Sequence, residues 1–172
     1  MHVLRRGALT LASLCAMSAL PAHAEWNVIR QKTQGADGDT VVAYTRNEDG
    51  YALEIYRDSV NAIRSRFTLR DGLLVLADRS CPTWQIDRNK ATNRSVNEAP
   101  CLAHAQWAEY VLGYIEDSRV ASQPLLSIMN GINITYRFRL QSGDYRETSF
   151  SLAGSKRALT EAVGTSVAVS AR

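Results

Sequence analysis

Histidine, cysteine and long apolar runs are scarce in this 172-residue chain, and each scarcity removes a class of function. His2, His23 and His104 are the only imidazoles, and the first two fall in an N-terminal segment with the marks of a signal peptide. One remaining histidine cannot build a zinc-hydrolase helix, no Gly-x-Ser-x-Gly elbow surrounds any serine, and a Ser-x-x-Lys pair is missing because Ala153 precedes Lys156 and Ile29 precedes Lys32. No glycine-rich phosphate loop is present either, so neither a metal nor a cofactor is expected. With 20 basic and 17 acidic residues the chain lacks the basic excess of a dedicated nucleic-acid binder. Four prolines and 10 glycines exclude collagen-like and low-complexity readings.

What is present begins with an export signal. Arg5 and Arg6 open it, an apolar stretch runs from Gly7 to Leu20, and Pro21 leads into the small-x-small site Ala22-His23-Ala24. Residues 1–24 therefore read as a signal peptide, 25–164 as a single β-rich domain and 165–172 as a tail, frayed or a marginal strand. Cys15 follows Leu14 rather than a small residue, which argues against lipidation. No later stretch reaches the roughly 18 apolar residues of a membrane-spanning helix, so the product is expected in the periplasm or secreted. Two cysteines remain after the cut, and in an oxidising compartment they have one intramolecular pairing, Cys81 with Cys101. Closing that loop stabilises by about 3 kcal/mol in the chain-entropy picture.

Alternation with period two marks strands over 40–46, 51–57 and 61–70, with turns at Asn47-Glu48-Asp49-Gly50, Asp58-Ser59 and Asp71-Gly72. Leu73 to Ala77 reads as a short apolar strand, and 103–115 as a helical turn running into a strand. Ser122 and Pro124 start a short helix that Gly131 stops. Ile132, Ile134, Tyr136, Phe138 and Leu140 then alternate as the apolar face of a strand, and Thr148, Phe150 and Leu152 as that of the next. A second helix spans 155–163, with Ala158, Leu159, Ala162 and Val163 inward and Gly164 after it. The fold class is mainly β: an antiparallel β-sandwich or partly closed barrel with two short C-terminal helices.

Two groups of residues are candidates for binding. The stapled segment from Pro82 to Pro100 carries Trp84, Arg88 and Arg94; Trp84 reads either as a recognition residue or as a core anchor beside the disulfide. Arg64, Arg66 and Arg70 share one strand face and Arg137 and Arg139 another, and adjacent strands would turn them into a basic ladder able to fork-bond carboxylates or phosphates. Solvated strand faces are the plainer reading. Asp37-Gly38-Asp39 and Glu48-Asp49 are acidic but sit in turn contexts, and His104 has no sequence neighbour that would activate it.

Leu125-Leu126 with Asn130-Gly131, the alternating strand at 132–140, and Ser151-Leu152-x-Gly154 before Ala158-Leu159 together resemble the invasion-associated locus B family of bacterial exported proteins. Trp26 near the mature start and Ile86-Asp87 ahead of Cys101 suit the same layout. The resemblance implies a small periplasmic β-sandwich of non-enzymatic function, linked in some members to host-cell colonisation, and carries over no catalytic residue. The expected role is a non-catalytic module binding a protein or envelope component. The alternatives are an inhibitor of a foreign hydrolase such as lysozyme, dominated by the stapled loop, and a small enzyme using a carboxylate and arginine cluster.

Overall fold

The computed structural model describes residues 25–32, 38–70, 72–78, 80–89 and 101–171. The signal-peptide reading and the turn positions Asp37 and Asp71 lie outside them. Strands β1 (Asn27–Lys32), β2 (Asp39–Arg46), β3 (Ala52–Arg57) and β4 (Ala62–Thr68) form an antiparallel meander, continued by β7 (Trp107–Tyr114) and the short β6 (Leu102–Ala103) in the order β1-β2-β3-β4-β7-β6. The turn after β2 closes because Gly50 adopts φ +85 and donates to the Asn47 carbonyl at 2.9 Å. A second sheet has the order β10-β9-β5, from β5 (Thr83–Ile86), β9 (Asn133–Arg139) and β10 (Tyr145–Ser151). A parallel pair joins β8 (Arg119–Ala121) to β11 (Ala168–Ser170), so the expected tail carries a strand. The six-stranded sheet is open, with β1 and β6 at its ends, which selects the sandwich over the barrel.

The two sheets meet face to face through aromatic side chains. Phe67 of β4 stacks on Tyr136 of β9 with centroids 4.7 Å apart, and Phe138 and Phe150 lie 5.1 and 6.3 Å from the same ring. Two side chains also tie the outer strand β10 to the larger sheet: Trp26 Nε1 donates to the Ser151 carbonyl at 2.9 Å and Asn47 Nδ2 to that of Ser149 at 2.9 Å. Those carbonyls are thereby withdrawn from pairing with another chain. Beyond the aromatic zone, α2 (Ser155–Val163) covers β1, β2 and β3 with Ala158, Leu159, Ala162 and Val163. Helix α1 (Gln123–Asn130) packs on α2, and Ser155 Oγ donates to the Ile128 carbonyl at 2.9 Å between them. Ser122 caps α1 by accepting from the Leu125 N–H and anchors it to β7 by donating to the Leu112 carbonyl at 2.7 Å.

Three expectations need correction. Leu73 to Ala77 forms no ladder strand: Leu73 is 91% exposed, and the segment crosses the ends of both sheets, with Leu76 N–H donating to Ala105 and Ala77 N–H to Arg139. The stretch 103–115 has no helical turn, because His104 N–H bonds the Trp107 carbonyl and returns the chain directly into β7. Ile132 faces solvent at 72% exposure; its N–H, with that of Asn133, is held by the Asp87 carboxylate before the alternation begins. Within the stapled segment, Thr83–Ile86 pairs with β9 and buries Trp84 and Ile86.

Thr45 on β2 is fully buried, and its hydroxyl has no hydrogen-bond partner among the described residues. Replacing it with the isosteric valine removes that cost without leaving a cavity, so Thr45→Val is expected to raise the unfolding free energy by about 1 kcal/mol. A urea midpoint shifted downward would show that the hydroxyl is satisfied in solution.

Candidate functional site

The face of the six-stranded sheet turned away from the core carries the densest polar network among the described residues. Strand register fixes its layout. One cross-strand row runs Asn27, Tyr44, Glu54, Arg66, Glu109 and Leu102. Beside it run Ile29, Val42, Tyr56, Arg64 and Val111 on one side, and Arg46, Ala52, Thr68 and Trp107 on the other. Side chains opposite each other in a ladder stand about 4.5–5.5 Å apart at Cβ, so the Glu54-Arg66-Glu109 sequence places unlike charges next to each other across three strands.

Glu109 is the hub. Its side chain is 5% exposed and accepts from Arg64 Nη1 at 3.1 Å, Arg66 Nη2 at 2.8 Å, Arg66 Nε at 3.0 Å and the Tyr56 hydroxyl at 2.5 Å. Burial first, then the hydrogen bond to Glu109, pushes the Tyr56 phenol well above its ordinary range, so it remains a proton donor. Arg66 also donates to the Tyr56 oxygen at 2.9 Å and lies over two rings, 4.7 Å from the Trp107 centroid and 5.5 Å from that of Tyr56. His104 stacks on the other ring neighbour, Trp107, at 4.0 Å, and Tyr44 accepts from Arg46 Nε at 2.8 Å. The result is a grid of aromatic rings and paired charges in which Tyr56, Arg64, Arg66 and Trp107 are tied together around Glu109. With four bonds accepted, Glu109 is the anchor for its neighbours.

At one end of the grid Asp58 accepts from Arg64 Nε at 2.6 Å and from the backbone N–H groups of Ala62 and Val60 at 2.8 and 3.0 Å. Burial alone would raise the Asp58 carboxyl, but these donors outweigh it and hold the group below its ordinary value of 3.8. A carboxyl depressed on folding contributes stability above its unfolded pKa and loses it as pH falls through the folded one. Asp58→Asn is therefore expected to cost about 1 kcal/mol at pH 7, a deficit that shrinks below about pH 4 as wild type loses the same contribution. Urea unfolding at pH 7 and pH 3 checks it; equal deficits at both would contradict the assignment.

The residues expected from sequence fall in different places. Phe67 and Ser65 of β4 face Tyr136 of β9 across the core, with Ser65 Oγ 3.4 Å from the Tyr136 hydroxyl. Arg64 and Arg66 alternate with the former and Arg137 and Arg139 with the latter, so the two sets point to opposite outer surfaces and form no common ladder. Neither set is a free basic surface. Arg64 and Arg66 are matched by Asp58, Glu54 and Glu109; Arg137 pairs with Glu147 at 2.5 Å and donates to Gln85 at 3.0 Å; Arg139 lies 5.6 Å over the Tyr145 ring. Arg70 is exposed at the end of β4. Trp84 is 5% exposed and occupies the core-anchor role, Arg88 is exposed in the turn after β5, and Arg94 lies outside the described residues. Cys81 and Cys101 are bonded, with Cα atoms 5.9 Å apart.

Tyr44, Glu54, Tyr56, Trp107 and Glu109 were not singled out in the sequence. The available signal was parity: Glu54 and Tyr56, Arg64 and Arg66, and Glu109 and Val111 each occupy the outward positions of a strand whose alternate residues are apolar or small. No helix among the described residues is long and apolar enough to cross a membrane, and no group of three metal-ligating side chains occurs among them. No family model, curated protein or solved structure matches the chain.

Proposed function

We propose that this protein is an exported, non-catalytic binding module of the cell envelope, and that the outer face of its six-stranded sheet is the recognition surface. The reading rests on the grid itself: Tyr56, Arg66 and Trp107 are half-buried, hold one another and face away from the core, with Tyr44 bonded to Arg46 on the same face. Rigid aromatic and arginine side chains lose little entropy on contact and dominate binding surfaces for that reason. The disulfide, the signal-peptide pattern and the resemblance to the invasion-associated locus B family accord with a role outside the cytoplasm. Against an inhibitor built on the stapled loop stands the ordered strand at Thr83–Ile86, which is held by β9.

Co-sedimentation with isolated envelopes tests the assignment. The wild-type protein and an Arg137→Ala/Tyr145→Ala variant of the opposite surface are expected to sediment equally, while Arg46→Glu and Trp107→Ala on the grid lose most of the bound fraction. Loss in the opposite-surface variant alone, or no sedimentation of the wild type, would overturn it.

A further inference from the structure

Beside Arg66 the grid opens into a hollow of about 280 Å³. Val42, 2% exposed, and Tyr56 give it apolar lining beside Thr40, and Gln31 and Lys32 stand at its rim. Glu54 and Arg66 project into the same space, and their state decides what fits there. Arg66 uses Nε and Nη2 on Glu109 and Tyr56, whereas among the described residues its Nη1 has the Glu54 carboxylate alone, at 3.9 Å. That distance is an ion pair without a hydrogen bond, and the Glu54 carboxylate, 17% exposed, accepts no hydrogen bond from any described residue. A strong donor and a strong acceptor thus stand side by side next to Val42 and Tyr56, neither with a hydrogen-bond partner for that atom among the described residues.

Charge narrows the ligand class. Arg66 and Glu54 set one charge of each sign 3.9 Å apart in the lining, with Lys32 at the rim and Glu109 bonded behind Arg66, so the hollow has no excess of either sign to attract a phosphate, a carboxylate or an ammonium group. What it rewards is a neutral group that donates and accepts at adjacent positions and has an apolar face. We propose that the hollow is a subsite for one ring of a neutral saccharide, with neighbouring hydroxyls donating to Glu54 and accepting from Arg66 Nη1, and the C–H face of the ring on Val42 and Tyr56. The volume, at the small end of ligand sites, suits a single ring of a longer glycan. This inference rests on the sheet face being the recognition surface and names the chemistry that it recognises.

The test is calorimetric titration of the disulfide-bonded protein with maltohexaose and chitohexaose as neutral probes and hexagalacturonate as the acidic one. At least one neutral hexasaccharide is expected to bind at millimolar concentration or better, and hexagalacturonate more weakly. Glu54→Ala is expected to weaken binding about 10-fold or more, the usual effect of removing a charged hydrogen-bond partner. Gln31→Trp, at an exposed position on the same strand face as Ile29 and beside the hollow, is expected to block it and abolish binding. Absence of neutral binding, equal binding by both variants, or tighter binding of hexagalacturonate overturns the saccharide assignment. If envelope sedimentation still depends on Arg46 and Trp107 in that event, the recognition face stands and only its ligand class falls.

Discussion

Phe67→Ala is expected to cost about 4 kcal/mol and to uncouple the two sheets, because large-to-small changes at buried aromatics cost about 3–5 kcal/mol. Phe67 is fully buried and touches rings from both layers: Tyr136, Phe138 and Phe150 of the smaller sheet, and Tyr51 of the larger at 5.9 Å. Its removal leaves a hole between two hydrogen-bonded sheets, and neither can move inward without breaking its own ladder. Collapse is restricted, so the expected cost is well above the lower limit. Urea unfolding measures it, and Phe67→Leu, which retains most of the volume, should lose less than half as much. A Phe67→Ala midpoint within 1 kcal/mol of wild type would mean that the sheets are not joined through this ring.

Glu109→Ala is expected to cost about 3 kcal/mol and to release the grid. Breaking a buried ion pair costs about 3–5 kcal/mol when the abandoned partner remains buried. Here the partners are the less buried members, with Arg64 28% and Arg66 32% exposed against 5% for Glu109, so water recovers part of the loss. Asp58 also keeps hold of Arg64, and Glu54 attracts Arg66, which places the value at the lower end. Glu109→Gln, whose amide oxygen still accepts from Tyr56 or Arg66, should fall between wild type and alanine. Equal stability of all three would show that the network contributes nothing to folding. Because Arg66 is oriented by Glu109, both variants should also weaken envelope binding in the same order as they destabilise.

How far these residues were legible in the sequence follows from how local each signal is. The meander of β2, β3 and β4 announces itself because turn chemistry at Asn47 and Gly50 and at Asp58 separates runs of alternating polarity. Both helices are equally local, one started by Ser122 and Pro124, the other followed by Gly164 at φ +119. Strand β5 was missed because four residues, Thr83 to Ile86, sit in a polar segment and show only two buried positions, Trp84 and Ile86. The grid is harder still. Parity correctly places Arg64 and Arg66 together on one face, but which carboxylates meet them depends on the pairing of β4 with β7, more than 40 residues away in sequence. Sequence alone therefore offers a basic strand, where the fold supplies Glu109 and a neutral surface. The same non-locality explains the basic ladder that did not form: β4 and β9 do meet, through Phe67 and Tyr136, and meeting by inner faces sends their arginines apart.

Recognition on the outer face of the six-stranded sheet has a direct physical signature in the exposure of its aromatic rings. Oxidative footprinting of the protein with and without isolated envelopes reads that face directly, since aromatic rings on both surfaces report contact. Tyr44, Tyr56 and Trp107 are expected to be protected, with Tyr145, 79% exposed on the opposite sheet, labelled equally in both samples. Protection confined to Tyr145, with Tyr44 and Trp107 unchanged, would contradict it.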